Sequence, residues 1–330
     1  RINFDANGEN GALLLEPSRQ QLLPQSEYFA ATLWTSGQSR DYTLTYTNEL
    51  NPQGLAGSYK YKSIASNNQL GAITNNASGT TITNSIYVKR VLGTGNVLLR
   101  NVNNVGTSFS LSISDGWKRI DVTATTLATT SRIYLNLDDV NDEVLIWGAQ
   151  QEIGSYPSSY IPNHGTSGGV TRAADSCTGG GSAESINSVE GVLYAEIAAL
   201  TQDNTSVVEI TLNDGSSANR VAITFTTSNN ALRTLVRVGG VNQLNTTSSL
   251  SNITEYKKIA VKYKANDFAL WVNGIELHTD NTGITFSALT LNNLSFNNGD
   301  ASSDFFGNAK QVIVFNEALS DSELATLTTL

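Results

Sequence analysis

Phe268-Ala269-Leu270-Trp271-Val272-Asn273-Gly274 is the stretch that decides the fold. Phe268, Leu270 and Val272 lie on one side of a period-2 pattern, with Trp271 on the other, as in a strand with two distinct faces. Asn273-Gly274 follows at once, and both residues tolerate the positive φ of a tight hairpin turn. The same pattern recurs along the whole chain. Residues 41–47, 85–89, 108–113, 132–137 and 143–147 alternate in the first half. Residues 192–197, 207–212, 221–226, 259–263 and 311–315 alternate in the second. Ser114-Asp115-Gly116, Asn213-Asp214-Gly215 and Asn297-Asn298-Gly299 supply further turns. Short strands rich in Val, Ile, Thr, Tyr and Phe, separated by such turns, predict an all-β chain of antiparallel sandwiches.

One segment predicts a helix. Ser320 stands at an N-cap with Glu323 three residues later, the capping-box spacing, and Leu324 and Leu327 supply apolar positions. A helix this short must dock on the last sandwich to persist.

The chain has 330 residues, which suggests two domains. Residues 154–185 break the strand pattern with two prolines and many glycines and serines. The expected organisation is an irregular segment 1–25 packing on the first sandwich, a first jelly roll over 26–163, a Gly/Ser-rich linker over 164–184, and a second sandwich over 185–330. Gly179-Gly180-Gly181-Ser182 is the expected point of greatest flexibility.

Composition narrows the chemistry. Charged residues are 15% of the chain and the net charge is -9. That balance disfavours nucleic acid, which requires a basic surface, and an anionic membrane surface. No apolar run is long enough to span a bilayer, so no membrane insertion is expected. One cysteine, Cys177, precludes an internal disulfide, and with only His164 and His278 beside it the usual Cys/His zinc cluster is excluded. The chain contains no methionine, so it is expected to be processed or to be part of something longer. Carboxylate chemistry, calcium binding and simple recognition remain. Asp138-Asp139, with Asp142-Glu143 nearby, falls between two strands and reads as a polar hairpin loop before it reads as a catalytic pair. A non-catalytic protein is therefore expected.

Several longer motifs resemble known modules. Leu13-Leu14-Leu15-Glu16-Pro17-Ser18-Arg19-Gln20-Gln21-Leu22-Leu23, then Ser26-Glu27-Tyr28-Phe29 with Trp34, resemble the opening of a module common in bacteriophage tail and head-fibre proteins. Trp147-Gly148-Ala149-Gln150-Gln151-Glu152 through Ser158-Ser159-Tyr160-Ile161-Pro162 resemble its close, and Tyr87-Val88-Lys89 and Trp117-Lys118-Arg119 its inner strands. Thr171-Arg172-Ala173-Ala174-Asp175 resembles the linker that follows it. The resemblance implies a galactose-binding-like, carbohydrate-binding-module-like jelly roll. Gly191-Val192-Leu193-Tyr194-Ala195-Glu196, the hairpin quoted first, and Asp304-Phe305-Phe306-Gly307 through Glu323-Leu324 resemble a laminin-G/concanavalin-A-like lectin domain. The chain departs from the pattern after Asp175, where it carries Ser176-Cys177 and a glycine run of its own.

The resemblance implies a virion fibre or adhesin on the virion surface that binds host cell-surface glycans. It also implies other virion proteins as partners and a homo-oligomer, with a trimer as the expected state. Two alternatives stay open: a structural capsid- or tail-decorating protein that binds no glycan, and secreted carbohydrate-binding modules of a bacterial polysaccharide-degrading enzyme. Sugar rings stack on half-wet aromatic side chains while polar neighbours bind hydroxyls. Trp271, with Asn273 and Arg237 as polar neighbours, is the candidate glycan site of the second domain; Tyr59 and Tyr61, on one face of a strand, are the candidates in the first. Trp147 and Trp117 read as core, and Arg172 and Asp175 as a possible pair. Both resembled folds often carry calcium. Glu27 and Asp142 in the first domain, and Asp300 and Asp304 in the second, are the candidate ligands.

Overall fold

A computed structural model describes residues 1–4, 11–35, 40–101, 105–202 and 207–330. It is all-β, with a short C-terminal helix. In chain order the strands begin with β1 (Ile2–Asn3), β2 (Ala12–Leu15) and β3 (Arg19–Gln21), followed by a short helix α1 (Thr32–Thr35). Next come β4 (Arg40–Leu50), β5 (Ala56–Asn68), β6 (Leu70–Asn75), β7 (Thr81–Leu92), β8 (Val97–Arg100) and β9 (Gly106–Phe109). Then follow β10 (Trp117–Thr125), β11 (Thr130–Leu137), β12 (Glu143–Ile153) and β13 (Val170–Arg172). The remainder holds β14 (Glu190–Ala199), β15 (Val208–Asn213), β16 (Arg220–Phe225), β17 (Ala231–Val238) and β18 (Val241–Ser249). It closes with β19 (Lys257–Lys264), β20 (Phe268–Val272), β21 (Ile275–Asp280), β22 (Asn293–Ser295), β23 (Gly307–Phe315) and α2 (Asp321–Thr328).

The chain divides into two compact units. One is residues 18–173; the other joins residues 1–17 to residues 174–330. This corrects the expected organisation at both ends of the first jelly roll. The segment 1–25 does not pack on the first sandwich as a whole, because β2 pairs antiparallel with β23 through Leu13–Ala309. Its Leu-rich run therefore completes the sheet of the second unit. The expected linker 164–184 is divided as well. β13 pairs with β3 in the first unit, whereas Phe296 N–H donates to the Cys177 carbonyl and Gly180 bridges to Leu294 in the second. Asp175 likewise stays within the second unit, accepting a hydrogen bond from the Glu16 N–H at 3.0 Å and lying 3.7 Å from Arg1.

In the first unit, a five-stranded sheet in the order β10-β7-β12-β5-β4 faces a four-stranded sheet in the order β6-β11-β8-β9. Tyr61, Ile86, Val88, Val144 and Ile146 from the first meet Leu70, Val97, Leu99, Ile133 and Leu135 from the second in one core. The motifs that open and close this unit interlock. Gln21 Nε2 donates to the Ala149 carbonyl at 2.9 Å and Gln21 Oε1 accepts from Gln151 N–H at 2.9 Å. Glu152, fully buried, accepts from Gln150 Nε2, from Ser158 N–H and from the Ser158 hydroxyl at 2.6–2.8 Å. Three donors and the nearby Arg19 guanidinium (3.7 Å) meet the requirement that a buried charge be paired. Trp147 is buried but lies outside the core, on the other face of its sheet, its ring tilted 53° against Tyr160 with centroids 4.6 Å apart. Trp117 is only partly buried, and its Nε1 donates to the Leu50 carbonyl.

In the second unit, a seven-stranded sheet in the order β1-β2-β23-β14-β19-β20-β21 packs on a five-stranded sheet in the order β18-β17-β16-β15-β22. Leu193, Val261, Phe268 and Leu270 from the former meet Ile210, Leu212, Ile223 and Val236 from the latter. The opposite face of the seven-stranded sheet is covered by α2. Val192, Tyr194, Ala260, Ala269 and Trp271 form a second apolar layer with Leu324. The helix begins at the predicted capping box: Ser320 N–H donates to Glu323 Oε2 at 2.8 Å.

Candidate functional site

The outer face of the five-stranded sheet in the second unit gathers three arginines. Core side chains alternate along β15, β16 and β17, so Glu209, Thr211 and Asn213, then Arg220, Ala222 and Thr224, then Arg233, Leu235 and Arg237 turn outward. Register fixes their rows. Glu209 stands opposite Thr224, and Thr224 opposite Arg233. Asn213 stands opposite Arg220, and Arg220 opposite Arg237. Ala222, small and buried, separates the two rows on the middle strand, so the arginine side chains have room to converge. At the strand rise of about 3.3 Å, Arg233 and Arg237 leave β17 roughly 13 Å apart.

The polar groups of this face are closely packed yet incompletely paired. Arg220 is 6% exposed; its Nη1 donates to the Ser217 carbonyl at 2.7 Å, while its Nε lies 3.7 Å from Glu209 Oε2, beyond hydrogen-bond reach. Burial pushes the Arg220 guanidinium below its ordinary pKa; Glu209 opposes this, Arg237 and Arg233 add to it, and Asp300 opposes it. Arg237 Nε donates to the Gly240 carbonyl at 2.9 Å. Arg220 Nε, Arg233 Nε, Glu209 Oε2, Thr224 Oγ1 and Asn293 Oδ1 are buried without a hydrogen-bond partner among the described residues. Such groups are rare in folded proteins, and each carries a desolvation cost of about 1–3 kcal/mol. Two of the five, Arg220 Nε and Glu209 Oε2, form a loose ion pair, and the half-buried Arg233 and Arg237 leave positive charge beside them that an anionic ligand would meet.

Of the sequence-predicted glycan residues, only Arg237 belongs here. Trp271 does point away from the core as expected, but α2 covers it and leaves it 8% exposed. It is thus on the seven-stranded sheet, away from Arg237 on the five-stranded sheet. Asn273 is occupied by its turn: with φ 51°, its Oδ1 accepts the Lys258 N–H at 3.0 Å. Tyr61 is fully buried, its hydroxyl donating to Asn68 Oδ1 at 2.8 Å and its pKa driven up by burial. Tyr59 is also largely buried, but it lines a small surface pocket together with Glu27.

The calcium candidates are dispersed. Asp142 is spent on a buried ion pair with Arg90 at 2.8 Å, and Glu27 accepts the Tyr160 hydroxyl at 2.8 Å. Asp300 accepts the Ser302 hydroxyl at 2.9 Å, a bond that lowers its pKa. Asp304 bridges to the backbone of Glu209. Among the described residues no three His, Cys, Asp or Glu side chains are grouped to hold a metal ion.

Arg220 and Arg233 are the residues that sequence reasoning missed. A signal for them exists: between Arg172 and Lys257 the only basic residues are Arg220, Arg233 and Arg237. Arg233 and Arg237 also share one strand face by period 2.

No protein-family model matches the chain, and no curated protein matches it significantly. Among solved structures, the Ruminococcus gnavus IT-sialidase CBM40 is similar at 16% identity and a TM-score of 0.37, over 46% of this chain and 94% of that one. A structure of the same module bound to α2,3 sialyllactose gives the same figures. The leech intramolecular trans-sialidase is similar at 19% identity and a TM-score of 0.35, over 43% of this chain and only 24% of that one. The SAP-like pentraxin of Limulus polyphemus is similar at 11% identity and a TM-score of 0.35, over 46% of this chain and 74% of that one.

Proposed function

We propose that the chain is a non-catalytic glycan-binding protein, and that its second unit holds an acidic sugar on the face of Arg220, Arg233 and Arg237. The observation that carries this reading is three arginines on one sheet face, Arg233 and Arg237 half-buried there, beside the loose Arg220–Glu209 ion pair and the unpartnered Arg233 Nε, Thr224 Oγ1 and Asn293 Oδ1. A guanidinium presents paired N–H donors that match the oxygens of a carboxylate or sulfate. Asn242 and Asn245, exposed on β18 opposite Arg237 and Leu235, offer the donors and acceptors that sugar hydroxyls require. The surrounding side chains Asn213, Ser217, Asn242 and Asn245 are short, neutral and polar, and the Glu209 and Asp300 carboxylates lie nearest Arg220, leaving Arg233 and Arg237 to meet the anion. Binding through the two half-buried arginines of this face is weak per site, and several copies in one particle supply avidity.

The setting we propose is a virion fibre that engages host surface glycans. The order of the motifs at residues 13–29, 146–162 and 304–324 supports that setting. The test is a glycan array of carboxylated, sulfated and neutral glycans, with and without calcium. Binding confined to the acidic members, and lost in Arg233→Gln, supports the reading. Absence of any glycan binding at millimolar sites refutes it and favours a purely structural building block.

A further inference from the structure

A second site lies in the first unit and stands independently of the arginine face. Strands β12 and β5 pair as far as Ile146 and Tyr59 and then diverge. The segment around Ser26 enters the gap, its carbonyl accepting the Ala149 N–H at 2.9 Å. What remains open is a pocket of about 120 Å³ lined by Glu27, Tyr46, Asn51, Gly57, Tyr59 and Trp147, among others.

Its lining mixes three aromatic residues with polar groups, and the one charged side chain among the described lining residues is an acid. The Tyr46 and Tyr59 rings meet at 73° with centroids 5.4 Å apart, forming a corner rather than a flat platform. Trp147 also borders the pocket. Tyr46 is 59% exposed although its partner Tyr59 is buried, so the corner opens to solvent. Gly57 permits this arrangement: with φ +120°, a Cβ there would stand 2.9 Å from the Tyr46 hydroxyl. Glu27 uses Oε1 for the Tyr160 hydroxyl, and its Oε2 has no partner among the described residues. Asn51 turns its Oδ1 to the N–H groups of Gln53 and Leu55, so only its amide nitrogen is available. No lysine or arginine lines the pocket.

We propose that this pocket binds a compact organic ammonium group. The pocket is small, and it takes a methylated or primary ammonium head carried on a larger molecule. A cation gains from the exposed Tyr46 ring and from an adjacent carboxylate. A neutral sugar would instead seek one flat aromatic platform.

The experiment is NMR titration of the full chain with two charged ligands and their neutral counterparts: choline against its carbon isostere, and glucosamine against glucose. Choline and glucosamine represent a quaternary and a primary ammonium source, and the tighter of the two identifies the source. The expected result is binding of a charged member at millimolar to tens of millimolar concentration, with shifts confined to the pocket. Glu27→Gln, which keeps an acceptor for Tyr160, is expected to weaken it about tenfold. Tyr46→Ala, at an exposed position, is expected to do the same without unfolding. Equal binding of charged and neutral members, or no binding by either charged member in that range, would overturn the proposal.

Discussion

Arg220 and Arg237 stand directly opposite each other on adjacent antiparallel strands. Like charges in that position destabilise a sheet, and burial makes the arrangement worse for Arg220. Glu209 and Asp300 offset part of the repulsion, but the buried Nε of Arg233 has no hydrogen-bond partner among the described residues. A sheet face built this way stores unfavourable electrostatics that an anion relieves, which gives the first two predictions.

Arg237→Gln should separate stability from binding. Removing one of two opposed charges is expected to leave the melting temperature unchanged or raised. Affinity for an acidic sugar is expected to fall roughly tenfold to a hundredfold, the range of a lost charged hydrogen bond. Thermal melts and titrations on the same preparation check this.

Inorganic sulfate should stabilise the folded protein beyond its general salting effect, because a ligand for the native state raises stability by mass action. The comparison is the melting temperature in sulfate for the wild-type chain and Arg233→Gln. The difference between them is expected to be positive and to saturate with sulfate.

Trp271→Ala is expected to destabilise the second unit by about 3–5 kcal/mol, the usual cost of emptying a buried aromatic site. Trp271 packs in one layer with Leu324 of α2, so the helix loses its footing as well. Acidic-sugar affinity of the folded protein should not change. Chemical denaturation followed by titration below the transition tests both halves.

The fate of Trp271 shows what the sequence disclosed and what it did not. Period 2 correctly turned Trp271 away from Phe268, Leu270 and Val272, and the capping box correctly marked α2. Each observation was local. That the helix returns to cover the tryptophan is a tertiary fact, set by apolar complementarity between segments far apart in the chain. The same limit hid Arg220. Alternation assigns a face within one strand, whereas the arginine cluster depends on the register between β16 and β17. The N-terminal Leu13-Leu14-Leu15 run was legible as apolar, but its partner strand β23 lies almost three hundred residues away. The motifs at residues 13–29 and 146–162 were legible as a resemblance, and the structure joins them, as Gln21 to Gln151 and Tyr160 to Glu27.

Acid should loosen α2 before it unfolds the rest. Hydrogen bonds from the Ser320 side chain and backbone hold the Glu323 carboxyl below the usual carboxylate range. A carboxylate with a depressed folded-state pKa stabilises fully above its unfolded value, near 4.3. That contribution is lost as pH falls through the lower, folded value. Below about pH 4 the helix cap is therefore expected to weaken and Trp271 to gain exposure. Tryptophan emission should shift to the red in the wild type at acid pH, and at neutral pH in Ser320→Ala.

The most direct test of the central claim is a calorimetric titration of the chain with glucuronic acid and with glucose, in the wild type and in Arg233→Gln. The account predicts that glucuronic acid binds the wild type, that glucose does not, and that Arg233→Gln loses the acid without losing its fold. Equal binding of both sugars, or undiminished binding of the acid by Arg233→Gln, would contradict it.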